Sequence, residues 1–325
     1  MHSLKSLRTH ELFGYVLIAL AVLNWSGNFV AARAMADSFP PATFNVLRWL
    51  IATLVFLPFG IRPLWRERQT VLAHLPGLCL VALFGISLYD LLSFVAGSTT
   101  EALNMSLIAT LSPVFTFILA YFFLGEDLRL RTLLGILVSM FGVVVLVTDG
   151  DFAKLAQLTF TTGDLLMLAV AGMSACYNVS VKKLAGKLSQ SAMLMSTFIL
   201  GLLFLCPMCF WELNNGAVLP EMTQTVWAIL LYLGIFASVL CYLFWNMAVE
   251  IIGAGKTTLF YYTIPFCSGI LAWVFLGETV STCQIISGLL IFSGIIICLT
   301  VGSSSRSSKT RKTPAVARKL QGESA

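Results

Sequence analysis

The nine residues Ile118-Leu-Ala-Tyr-Phe-Phe-Leu-Gly-Glu126 return 152 positions later as Ile270-Leu-Ala-Trp-Val-Phe-Leu-Gly-Glu278, seven of the nine identical and without a gap. The same offset pairs Pro113 with Pro265, Ala96 with Ala248, Ala102 with Ala254 and Gly142 with Gly294. The chain therefore reads as two copies of one unit. Solenoid periods are about 20–50 residues, so this repeat is too long to be one. In an apolar chain it points instead to the two-half architecture of secondary transporters.

Hydrophobic residues are 58% of the sequence and charged residues 11%, where soluble domains are roughly a quarter charged. The natural solvent of such a chain is lipid. A bilayer-spanning helix needs about 20 apolar residues. Ten runs meet that length, at 12–35, 41–61, 75–96, 102–124, 132–149, 164–182, 190–211, 224–248, 256–276 and 281–301. Lys5 and Arg8 ahead of the first run resemble a signal peptide, but the run is too long and lacks a small-residue cleavage site. It reads as a retained first helix.

With the N-terminus in the cytoplasm, 17 of the 20 Lys and Arg fall on cytoplasmic segments, Lys154 alone falls outside, and Arg33 and Arg48 remain within or at the end of helices. Positive charge on the inner side sets the orientation, and ten helices return the C-terminus to the cytoplasm. Five helices per half is an odd number, so the halves must lie inverted. The expected fold is an all-α membrane protein of ten transmembrane helices in two inverted five-helix repeats. Its parts are a cytoplasmic segment 1–11, a first repeat 12–149, an unstructured outer linker 150–163, a second repeat 164–301 and a basic, disordered tail 302–325. The net charge of +5 sits in short spacers, a topology pattern rather than a nucleic-acid stripe.

Arg48 and Asp90 are the most informative single residues. Each is about seven residues from the outer end of its run, roughly 10 Å deep at 1.5 Å per residue. Ionised groups at such depth face the protein interior or water. Two readings stay open: an ion pair joining the second and third runs, or a pair that takes up a proton or binds a charged substrate. Asp164, Glu126, Glu250 and Glu278 sit at helix ends and read as caps or water-facing groups.

Aromatic and amide residues mark a second set: Trp25, Asn28, Tyr89, Tyr177, Asn178, Tyr242, Trp245, Asn246, Tyr261 and Tyr262. Individually each reads as core packing or an interfacial anchor. Together they read as a substrate cavity with apolar walls and a few polar fingers. Pro113 and Pro265 fall midway along their runs and should kink them, either lining the cavity or as ordinary membrane-helix prolines. Gly135, Gly142, Ser287, Gly288 and Gly294 let helices approach closely, within the monomer or at a homodimer face. The eight cysteines lie in apolar runs and read as unpaired.

No phosphate-binding glycine loop, nucleophile elbow or His-Glu-x-x-His motif occurs. The expectation is no enzyme and no metal.

The stretches Ser112-Pro-Val-Phe-Thr-Phe-Ile-Leu-Ala-Tyr-Phe-Phe-Leu-Gly-Glu126, Ile264-Pro-Phe-Cys-Ser-Gly-Ile-Leu-Ala-Trp-Val-Phe-Leu-Gly-Glu278 and Asn24-Trp-Ser-Gly-Asn-Phe-Val30 resemble the EamA family of the drug/metabolite transporter superfamily. Phe44-Asn-Val-Leu-Arg48-Trp and Ser238-Val-Leu-Cys-Tyr242-Leu-Phe-Trp245-Asn-Met-Ala248 fit as well. The resemblance covers about 12–301. It implies ten helices in a bacterial inner membrane and efflux or exchange of small metabolites, often amino acids, without a dedicated cofactor. An Arg at the position of Arg48 is frequent in the family, whereas an acid at Asp90 departs from its pattern.

The expected partners are a small-molecule substrate and the lipid bilayer, with the chain a monomer or homodimer. The leading expectation is an alternating-access exporter with Asp90 as protonation site and Arg48 as its partner. An exchanger or uniporter of the same superfamily is the alternative within transport. A non-transporting scaffold or receptor would want a soluble domain or long tail, and an intramembrane enzyme a close acid pair, a His set or a Ser dyad.

Overall fold

The computed structural model describes residues 11–26, 39–97, 108–126, 129–156, 161–267, 270 and 282–300. Seven helices among them are long and apolar enough to cross a membrane, and Glu11–Ser26 and Ser112–Leu124 are shorter apolar helices. In chain order the helices are α1 Glu11–Ser26, α2 Pro41–Arg66, α3 Arg68–Ala73, α4 Leu75–Ala82, α5 Leu88–Gly97, α6 Ser112–Leu124, α7 Leu130–Thr148, α8 Ala153–Ala156, α9 Thr162–Leu184, α10 Gln190–Asn214, α11 Gln224–Tyr232, α12 Cys241–Ile252, α13 Ala254–Leu259 and α14 Thr282–Thr300.

Two long helices are widened partway. Leu83–Ser87 is a π segment joining α4 to α5, and Leu233–Leu240 is a π segment joining α11 to α12. Shifted by the repeat offset, the first falls within the second. The ninth predicted run starts with α13, tightens to a 3-10 turn at Phe260–Tyr262 and is helical again at 263–267. Most of the rest of that run, with Glu278, lies outside the described residues, as do Arg33 and the tail 302–325.

One expectation is corrected. The linker 150–163 is not wholly irregular: it contains α8, and Thr161 and Asp164 form a reciprocal capping box that starts α9. Pro113 is in the first turn of α6, after a turn at 110–111, and Pro265 follows the 3-10 turn. A proline has no N–H for the carbonyl four residues back, and its ring clashes with that carbonyl. The helix therefore gives way just before each proline, and a proline in a first turn loses no bond.

Two pairs of helices that correspond between the two copies pack antiparallel. In α7 and α14, Cys298 Sγ lies 3.3 Å from the Thr132 carbonyl, Ser139 Oγ 3.2 Å from that of Ile291, and Cys283 Sγ 3.4 Å from that of Asp149. As numbers rise along one helix they fall along the other. Between α2 and α10, Glu212 accepts from the Ala42 and Thr43 N–H groups at 3.0 and 2.8 Å, and Glu67 from the Ser189 N–H at 2.8 Å. Each helix thus ends in a carboxylate that satisfies open amides at the start of its partner, where the dipole favours negative charge. One end of the bundle carries Arg62, Arg66, Arg68, Lys182, Lys183 and Lys187 and is called the basic end below.

Lipid tails are as apolar as leucine, so these helices gain little by hiding apolar surface from one another. Close approach and interhelical hydrogen bonds must hold them. Gly135 and Gly294 serve this at the α7–α14 crossing: a Cβ on Gly294 would stand 2.5 Å from the Gly135 carbonyl oxygen. Among the described residues the largest core cluster surrounds Trp49, Tyr242 and Trp245, and a second, of Phe117, Ile136, Tyr262 and Ile291, lies between α6, α7 and α14, beside two smaller ones around Phe44 and Met167. All eight cysteines are free, as expected from their apolar settings.

Candidate functional site

Arg48 lies seven residues into α2 and is 5% exposed. Its Nε donates to Ser238 Oγ at 2.8 Å, and its Nη1 stands 3.9 Å from Asp90 Oδ2. The second distance is that of an ion pair and is too long for a hydrogen bond. The short partner of that carboxylate oxygen is Trp49, whose Nε1 donates to it at 2.9 Å. The guanidinium carbon of Arg48 also lies 5.4 Å from the Trp49 ring centroid, within cation–π range. Taking two charges out of water costs several kcal/mol for each, offset only by good pairing. Here a hydroxyl and an indole supply part of it. Ser238 belongs to the second copy, Arg48, Trp49 and Asp90 to the first, so the charged group spans both.

The π segments sit beside this group. A π turn widens the helix and disturbs its regular carbonyl pairing, and such turns are frequent at functional sites. The Gly85 carbonyl accepts from the Tyr242 hydroxyl, and the Ala237 carbonyl from Trp25 Nε1 at 2.9 Å. Gly85 and Ala237 are one repeat apart. Equivalent carbonyls in the two copies are therefore both taken up by aromatic side chains from another helix.

Those aromatics form a continuous wall. The Trp25 ring centroid is 5.0 Å from that of Trp245 and 5.7 Å from that of Tyr242. Tyr242 lies 5.1 Å from Trp49 and 6.0 Å from Tyr177, and Trp245 lies 5.9 Å from Tyr261. Their polar tips are paired: Tyr89 with Tyr261, hydroxyl to hydroxyl, at 2.6 Å, Tyr177 with Asn246 Oδ1 at 2.5 Å, and Trp245 Nε1 with Asn178 Oδ1 at 2.7 Å. A buried amphipathic ring needs such a partner for its one polar group.

Of the predicted cavity residues, the structure brings together Trp25, Tyr89, Tyr177, Asn178, Tyr242, Trp245, Asn246 and Tyr261 around Arg48 and Asp90. Asn28 lies outside the described residues. Tyr262 is elsewhere: it is buried in the cluster with Phe117 and Ile291, and its hydroxyl has no hydrogen-bond partner among the described residues. Tyr261 and Tyr262 are neighbours on a 3-10 turn, so their side chains point about 120° apart.

Sequence reasoning missed Trp49 and Ser238. Trp49 was visible as the residue beside the arginine. Ser238 carried no signal, because a serine in a small-residue run says nothing about which helix it faces. The group offers one buried cation, one carboxylate and amphipathic walls. That suits a small solute with an apolar body and a charged end, and the carboxylate can also take a proton.

The sequence profile described as the EamA-like transporter family matches residues 12–148 and 161–300. The uncharacterized transporter YyaM of Bacillus subtilis is 24% identical over 87% of this chain and 92% of its own. An uncharacterized transporter of Archaeoglobus fulgidus is 28% identical over 87% of this chain and 96% of its own. A Streptantibioticus cattleyicolor protein named probable terminal-alkyne amino-acid exporter is 26% identical over 86% of this chain and 91% of its own. A crystal structure of a chain 21% identical superposes with a TM-score of 0.69 over 90% of this chain and 98% of the other, so the fold is shared. The chain, an all-helical multi-pass membrane protein, belongs to the EamA-like transporter family.

Proposed function

We propose that this transporter is a secondary exporter of small metabolites of the amino-acid class, working by alternating access between two inverted five-helix repeats. Ten spanning helices would place the basic end and both termini in the cytoplasm of a bacterial cell, with the protein in the inner membrane. The antiparallel packing of α2 with α10 and of α7 with α14 supports the inverted relation. The name of the Streptantibioticus relative supports the substrate class.

The observation that carries the reading is the Arg48–Asp90 pair. It is buried in the span, fastened by Ser238 of the other copy and enclosed by aromatic rings. A charge held where two halves meet senses both of them. Asp90 is the proposed protonation site. Neutral, it releases the attraction on Arg48; ionised, it restores the pair. A proton taken up there changes the contact between the copies, as coupling requires.

The test is efflux of a labelled metabolite panel from proteoliposomes, with and without a proton gradient, for wild type and Asp90→Asn. Movement of one solute class that responds to the gradient in wild type and ignores it in the variant is expected. Movement that ignores the gradient in both would make the protein a uniporter or exchanger. No movement of any solute would remove transport by this route.

A further inference from the structure

At the basic end, α6 closes on Gly125 with φ +65°, and the Glu126 N–H bonds back to the Ala120 carbonyl at 3.2 Å. This left-handed cap ends the helix and leaves Glu126 beyond it. The carboxylate crosses to the other copy: Oε1 accepts from the Ala254 N–H at 3.2 Å and Oε2 from the Gly255 N–H at 3.3 Å. These are the first amides of α13, which have no partners inside their own helix. The residue before them, Gly253, has no side chain to cap them and sits at φ +96°.

The approach is tight. A Cβ on Gly253 would lie 3.1 Å from Glu126 Oε1, and one on Gly255 2.7 Å from the Phe117 ring and 3.0 Å from Glu126 Oε2. Two glycines leave room for one carboxylate. Glu126 is only half-buried, so water can replace it on these amides when they part.

α13 is six residues long and is bounded by two departures from helix geometry, Gly253 and the 3-10 turn Phe260–Tyr262. That turn carries Tyr261, whose hydroxyl meets Tyr89 at 2.6 Å, next to Asp90 in sequence. A short segment thus runs from the candidate site at one end to the carboxylate at the other.

We propose that Glu126 is the latch of the cytoplasmic gate, and that release of the Ala254 and Gly255 amides lets α13 part from α6 and opens the site to that side. This rests on the transport reading and on the orientation given above. Two variants test it: Glu126→Gln alters the carboxylate itself, and Gly255→Ala leaves it in place but crowds it, since the added Cβ would lie 2.7 Å from the Phe117 ring and 3.0 Å from Glu126 Oε2. Both are compared with wild type in lipid nanodiscs by amide hydrogen exchange, and in proteoliposomes by efflux.

Exchange across 253–259 should rise about tenfold, the scale of losing charge-assisted hydrogen bonds, with α2 and α10 unchanged. A gate biased open should lower the half-saturation concentration on the cytoplasmic side and also the maximal rate, because resetting becomes slower. A helix cap without gating duty would leave the half-saturation concentration alone. Unchanged exchange in both variants overturns the latch, as does raised exchange with wild-type transport constants. If Glu126→Gln does not fold, Gly255→Ala decides. A wild type that moves no solute overturns the gate together with the transport reading, and is told apart because the failure is then already present without any substitution.

Discussion

Ser139 and Ile291 hold the same place in the two copies of the repeat, and they touch: Ser139 Oγ donates to the Ile291 carbonyl at 3.2 Å across 152 residues of chain. The contacts on either side mirror each other. A Cβ on Gly142 would meet Ile291 at 2.9 Å, and one on Gly294 would meet Ser139, the equivalent residue, at 2.3 Å. The two antiparallel helices therefore cross at equivalent positions of the repeat. Stability there depends on backbone approach, which a side chain would prevent.

Gly294→Ala should therefore lower the melting temperature in detergent or nanodiscs: Ser139 Oγ could rotate away, but the Gly135 carbonyl at 2.5 Å and the Ser139 N at 2.6 Å are backbone with no rotamer to change. Overpacking of this kind costs about 1–3 kcal/mol. Gly172→Ala, in α9 with nothing within 4 Å, is the control. It should be neutral or slightly stabilising, since alanine favours helix by up to ~1 kcal/mol over glycine.

The Arg48–Asp90 pair should behave as a unit in a double-mutant cycle. Arg48→Met leaves a carboxylate in the span and Asp90→Asn leaves a guanidinium there, and breaking a buried pair from one side costs about 3–5 kcal/mol. The combined variant removes both charges and should be more stable than either single one. Chemical denaturation in detergent reads the coupling. Strict additivity would mean that the two groups do not interact.

Trp49→Phe keeps an aromatic face beneath Arg48 and removes the N–H that reaches Asp90, together with one ring of a fully buried indole. A hydrogen bond to a charged group contributes about 1.5–3 kcal/mol. The variant should lose stability of that order in chemical denaturation. In an Asp90→Asn background the same substitution should cost less, because the charge that the bond served is gone. Equal costs in the two backgrounds would mean that the bond contributes nothing.

Tyr89 and Tyr261 share one hydrogen bond, and removing one hydroxyl leaves the other buried and alone. Tyr89→Phe or Tyr261→Phe should each cost about 1–3 kcal/mol, and the double variant less than their sum. Thermal unfolding of the four proteins is the measurement. Efflux by the double variant then reports whether the pair matters to turnover beyond stability.

The apolar spans, the 152-residue repeat, the family and the two intramembrane charges can all be read from the residues in order. These follow from local composition and periodicity: lipid selects apolar helices, and duplication leaves a fixed offset. The end-of-helix reading of Glu126 and Asp164 was legible for the same reason, since caps lie at fixed places along a chain. Partners came with the packing. It set Trp49, rather than Arg48, at hydrogen-bond distance from Asp90. It brought Ser238 across from the other copy and sent Tyr262 away from its neighbour Tyr261. It also placed the interruptions of regular helix just ahead of Pro113 and Pro265. Which face of a helix meets which neighbour depends on its rotation and on π and 3-10 departures of a single residue. One such departure turns every following side chain by about 100° without marking the sequence.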